Sequence, residues 1–194
     1  SEMCIRDRFT TRLPQTTYQY TAVPDTDPSE GYYEESGINE KNVAMSATES
    51  AYTNSRVLGV DPLVSNGIAE DAMLTVVLPY IDSAQAGIKR LGQLVSKQGA
   101  AETNGVLFSD TEEVWYMEIV SGHHWVAQRI PDDAYAVVAN QLAIEDIDFD
   151  RPQDFLTSTG IRQFVQRHRL NPDGGRFNSR HIFGTKTADD AHYN

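Results

Sequence analysis

Between Asn104 and Asn140 apolar and polar positions alternate with a period of two. Turn chemistry breaks the alternation three times, at Asp110-Thr111-Glu112, Ser121-Gly122 and Pro131-Asp132-Asp133. The stretch therefore reads as a four-stranded antiparallel meander. Its last run, Ala136-Val137-Val138-Ala139, ends on Asn140. An amide at the end of a buried strand needs a hydrogen-bond partner or is kept to bind something. A three-residue loop at 131–133 would set His124 opposite Asn140, and a two-residue loop would set Trp125 there. Two readings stay open: a structural His124–Asn140 bond, which pattern alone favours, or a pocket wall of amide, imidazole and indole.

A second periodicity precedes the meander. Met73, Val77, Ile81, Ala84, Ile88, Leu91 and Val95 recur at steps of three and four, the stripe of an amphipathic helix over 68–98. Pro79 should kink or divide it, Asp82-Ser83 offers a cap for the second part, and Gly99 a stop. Further helices are expected near 154–169 and 179–183. Residues 9–37 read as extended chain and turns with a short strand at 18–22. A turn at 37–42 feeds a strand of small and apolar residues at 43–49. Strand, helix pair, meander and helix in that order predict an α+β fold with helices packed on a sheet.

Composition narrows the function. The 194 residues carry a net charge of −12, which argues against nucleic acid or an anionic membrane as partner. No apolar run approaches the roughly 18 residues of a membrane span. The one cysteine, Cys4, cannot form an internal disulfide, and the five histidines show no metal-type spacing. Residues 1–8, SEMCIRDR, show neither strand alternation nor a capped helix and read as a tract foreign to the protein. Cys4 is accordingly given no role. Glu118 lies within an apolar strand and is read as pairing with a neighbour or facing outward. Trp115, Met117 and Ile119 are read as core. Asp146, Asp148 and Asp150 lack the glycine and glutamate of a calcium loop, and Gly122, Gly174 and Gly175 form no phosphate loop.

Several stretches resemble the bacterial cysteine-nucleophile dipeptidases of the N-terminal-nucleophile hydrolase superfamily. They are GINEKNVAMSATES (37–50), TNSRVLGVDPL (53–63), LPYIDSAQAGIKRLGQLV (78–95), NGVLFSD (104–110), VWYMEIVSGHHWVAQRIPDDAYAVVANQL (114–142), SRHIFG (179–184) and DAHYN (190–194). The resemblance implies an αββα sandwich of antiparallel sheets, incomplete here, with residues 9–194 as part of a single catalytic domain. It implies hydrolysis of dipeptides or other short peptides by acyl transfer, with no cofactor or metal. An N-terminal cysteine would attack, its own α-amine acting as base. Asn140 falls on the oxyanion donor of the wider superfamily. The second asparagine donor of the related amidohydrolases falls near Glu49, which cannot donate as a carboxylate. Glu49 is read instead as facing the substrate's α-ammonium, with His124 and Trp125 as substrate-side neighbours.

The family's Cys-Thr-Thr strand and its Ala-Arg-Asn/Ser-Glu-Asp motif are not in this sequence. The nucleophile is therefore expected outside the chain, and the chain as written is expected to be inactive. An amidohydrolase acting on another small amide, and a non-catalytic binding or scaffold domain on the same fold, stay open as alternatives. So does a homo-oligomer. The compartment is open, with the bacterial cytoplasm favoured.

Overall fold

The computed structural model describes residues 2–5, 9–24, 33–48 and 51–185. Near the start, β1 (Glu2–Ile5) pairs antiparallel with β2 (Phe9–Arg12), Cys4 opposite Thr10. This corrects the expectation of no strand there. β3 (Tyr20–Pro24), β4 (Glu34–Asn39) and β5 (Ala44–Thr48) follow. Next come α1 (Ser55–Leu58), α2 (Glu70–Val77), a 3₁₀ turn (Leu78–Tyr80) and α3 (Ala84–Gln98). The chain returns through β6 (Gly105–Ser109), β7 (Val114–Ile119) and β8 (Trp125–Ile130), then β9 (Phe155–Thr157), α4 (Ile161–Arg167) and α5 (Ser179–Phe183). Strands β3 to β9 form one seven-stranded sheet in chain order, every neighbouring pair antiparallel.

The helical stripe falls where its period places it. All seven stripe residues are at most 1% exposed. Pro79 sits in the 3₁₀ turn that separates the two helices, where its missing N–H breaks no α-helical bond. The Ser83 side chain caps α3 by accepting from Ala86 N–H, and Gly99 ends the helix at φ 85°. α2 packs on β4 and β5, and α3 on β6, β7 and β8. The core between this layer and the sheet includes Met45, Phe108, Trp115 and Met117.

β4 was not foreseen because Ser36-Gly37 weakens its strand pattern. The glycine answers to packing: a Cβ at 37 would stand 2.7 Å from Thr21 O and 2.9 Å from Leu78 Cδ2. Asn39 locks the following turn. Its buried Nδ2 donates to Leu78 O (2.9 Å) and Ile81 O (2.8 Å), while its Oδ1 accepts from Lys41 and Val43 N–H. One amide thus ties the β4–β5 turn to the break between α2 and α3.

The opposite sheet face is half covered. Over β7 and β8, Tyr116 and Val126 lie beneath Leu142, Ile144, Ile161 and Phe183. Toward β3 the face is open, with Val23, Ile38, Leu107 and Val114 each more than 40% exposed. The fold is α+β, one sheet with a helix layer, consistent with a sandwich fold; a second large sheet is not among the described residues. The helix expected from 154 begins only at Ile161, because 155–157 pair as β9 and Gly160 takes φ 80° at the helix start.

Candidate active site

One end of the sheet brings together Thr48 of β5, Gly105 of β6, Ile119 of β7 and Trp125 of β8. Gly105 pairs with Thr48 on one side and with Glu118 on the other, and Ile119 pairs with Trp125. Glu49 lies outside the described residues. Asn104, one residue before Gly105, is fully buried, and neither atom of its amide has a hydrogen-bond partner among the described residues.

The expected fourth strand of the meander does not form. Ala134 N–H closes the predicted turn onto Pro131 O (3.0 Å), but residues 134–139 then run outside the sheet. Tyr135 is 89% and Val137 87% exposed. The reason is competition for one strand edge. β9 occupies the outer edge of β8, pairing Val126 with Thr157, Ala127 with Leu156 and Gln128 with Phe155. Asn140 is exposed at the end of the unpaired run, and its side chain has no partner among the described residues.

The strand pairing that would set His124 or Trp125 opposite Asn140 is therefore not made; β9 holds that edge instead. His124 Nδ1 lies 2.8 Å from Ser158 Oγ, and its ring packs at a 35° tilt against Phe164 with centroids 4.3 Å apart. Burial holds its pKa below the ordinary imidazole value. Trp125 Nε1 donates to Gly92 O (3.0 Å) and Ser96 Oγ (3.3 Å) on α3. Both side chains brace the start of β8.

The chain just past Asn140 is firmly held. Glu118, fully buried on β7, accepts from Ala143 N–H (2.5 Å) and Ile144 N–H (3.1 Å) through Oε1. From the other side, Ser179 N–H donates to Glu145 O and Arg180 N–H to Ile144 O, both at 2.9 Å. Burial raises the Glu118 pKa to about 7, against the lowering effect of the two N–H donors. Glu118 thus faces neither water nor a neighbouring strand. The signal in the sequence was a carboxylate inside an apolar strand; its partners, 25 and 26 residues on, were not visible in the pattern.

A third cluster joins the β7–β8 turn to the chain after α1. Asp61 accepts from Ser121 Oγ (2.6 Å) and His123 N–H (2.8 Å), and its Oδ1 lies 2.7 Å from His123 Nδ1. Burial pushes the Asp61 pKa upward, but the bonds from Ser121 and His123 outweigh it and leave the carboxyl below its ordinary value. Among the described residues no three His, Cys, Asp or Glu side chains group as metal ligands. Nor is any helix long and apolar enough to cross a membrane.

A seven-stranded antiparallel sheet backed by a helix layer defines the chain as an α+β protein. Comparison with known proteins is specific: the chain belongs to peptidase family C69, whose profile matches residues 3–194. It is 58% identical over 186 residues to a probable dipeptidase of Latilactobacillus sakei, covering 96% of this chain and 39% of the relative. It is 46% identical over 185 residues to dipeptidase A of Lactobacillus helveticus, covering 94% of this chain and 39% of that protein. A dipeptidase of Bifidobacterium longum is 42% identical over 205 residues, covering 96% of this chain and 38% of its own length. The chain thus spans about two fifths of the length of these relatives.

Proposed function

We propose that this chain is part of a dipeptidase that hydrolyses short peptides by acyl transfer. A cysteine thiolate outside this chain attacks the scissile carbonyl carbon, and its own α-amine takes the thiol proton. An amine titrating at about 7.7–8.0 suits that exchange near neutral pH. The carbonyl oxygen becomes an oxyanion, which the Asn140 amide stabilises. Collapse of the intermediate breaks the C–N bond, the leaving amine takes the proton, and water then hydrolyses the thioester. Glu49 binds the substrate's α-ammonium. The 194-residue chain alone has no activity in this reading.

The observation that carries the proposal is 58% identity across nearly the whole chain to a probable dipeptidase. An exposed Asn140 amide with no partner among the described residues is compatible with a donor kept for a ligand. The test is the intact enzyme containing this chain, assayed on a dipeptide panel and on N-acyl amino acids. Asn140→Ala should lower kcat on dipeptides by about 10²–10³, and Glu49→Gln should raise KM for substrates with a free α-amine. Turnover confined to N-acyl amino acids, or an Asn140→Ala enzyme with unchanged kcat, would reject this reading.

A further inference from the structure

Asn140 stands at a boundary in the chain. The run before it is unpaired and exposed, while the run after it is fixed between β7 and α5. On the sheet side, the tie is one carboxylate oxygen. Glu118 Oε1 accepts two consecutive backbone N–H groups, those of Ala143 and Ile144, three and four residues beyond Asn140. The carboxylate is fully buried, where a fixed acceptor is worth more than in water. The same strand carries Tyr116, whose ring occupies the space that Gly105 leaves open: a Cβ there would stand 2.7 Å from the Tyr116 hydroxyl oxygen. Core burial and this pairing leave the carboxylate little room to move.

We propose that Glu118 is a positioning residue for Asn140. Through the N–H groups of Ala143 and Ile144 it fixes the Asn140-bearing chain to the sheet end beside Thr48 and Gly105. This rests on the reading of Asn140 as oxyanion donor. Such a donor works only when held where the charge develops, and a displacement of about 1 Å can lower a rate by as much as 10²-fold. In this reading Glu118 takes no direct part in the chemistry and acts only through the Ala143 and Ile144 N–H groups.

The test is a double-mutant cycle in the intact enzyme. Glu118→Leu should lower kcat about 10- to 100-fold at unchanged KM. Glu118→Gln, which keeps a carbonyl acceptor, should recover most of the loss. In an Asn140→Ala background both substitutions should have little further effect. Amide exchange at Ala143 and Ile144 should accelerate in Glu118→Leu and much less in Glu118→Gln. If Glu118→Leu does not fold, the Glu118→Gln arm decides: a smaller kcat loss that vanishes with Asn140 removed supports the role. Wild-type kcat in a folded Glu118→Leu enzyme, or losses that multiply with that of Asn140→Ala, overturns it. An Asn140→Ala enzyme with wild-type kcat instead removes the oxyanion reading, and the positioning role falls with it.

Discussion

The indole of Trp125 fills the space beside Gly92 on α3. Its Nε1 donates to Gly92 O at 3.0 Å, and a Cβ at position 92 would stand 2.4 Å from two ring carbons. Helix and sheet therefore approach to a distance that only glycine allows. Alanine would gain about 1 kcal/mol in helix propensity, yet the indole cannot yield without opening the core. Gly92→Ala should lower stability by about 1–3 kcal/mol, the usual range for overpacking. A shifted urea midpoint with unchanged m-value would register it. Gly175→Ala, whose Cβ meets nothing within 4 Å, should leave the midpoint in place.

Asn39 makes a second test of the same packing. Its amide satisfies two carbonyls at the α2–α3 break and two N–H groups of the β4–β5 turn. Removing it leaves buried backbone groups unpaired, at roughly 1–3 kcal/mol for an orphaned group. Asn39→Ala should therefore cost about 2–4 kcal/mol. Asn39→Asp should be no better, because a carboxylate would face the Leu78 and Ile81 carbonyls. Thermal unfolding of both variants beside the parent decides the matter; an alanine variant within 0.5 kcal/mol, roughly the spread of surface substitutions, would contradict it.

These two cases also show what was legible in the sequence. The α3 stripe, its Ser83 cap, its Gly99 stop and the first three meander strands were readable, because each is set by local period and turn chemistry. The 134–140 run carries an equally good strand pattern, and the structure leaves it unpaired. Whether a strand forms depends on which segment takes the free edge of β8, and β9, three residues long, was hidden in a region that looked helical. Placing His124 against Asn140 failed for the same reason. The tie from Glu118 to Ala143 and Ile144, and that from Asp61 to His123, join residues 25 to 62 positions apart. Neither a period of two nor one of 3.6 encodes such a pairing. Asn140 itself was singled out by a family resemblance more than by its pattern.

Asp61 predicts an acid-side effect. Its folded-state pKa lies below the ordinary 3.8, so the folded protein binds this proton less readily than the unfolded chain. The associated stability is present above that ordinary value and is lost as pH falls through the folded-state pKa. Asp61→Asn removes the charge from the bonds with Ser121 and His123. It should lower stability at pH 7 by about 1.5–3 kcal/mol, with a smaller difference at pH 3. Denaturant curves at the two pH values would show it, and an equal loss at both would count against an ionic contribution.

Glu118 predicts the opposite slope. Burial raises its pKa from 4.5 to about 7, and the nearby Arg180 on α5 offsets only part of that rise. Tyr116, the other titratable neighbour, is neutral across this range. Between these two values the unfolded chain loses the Glu118 proton while the folded protein keeps it. Folding then favours the more protonated state, so stability is full below about pH 4.5, declines as pH rises toward 7, and levels off above. At about 1.4 kcal/mol per pH unit the decline amounts to ~3 kcal/mol. Glu118→Gln, neutral in both states, should abolish this slope and be no less stable than the parent at pH 8. Urea midpoints collected from pH 4 to 8 test the claim; parallel pH profiles for parent and Gln variant would refute it.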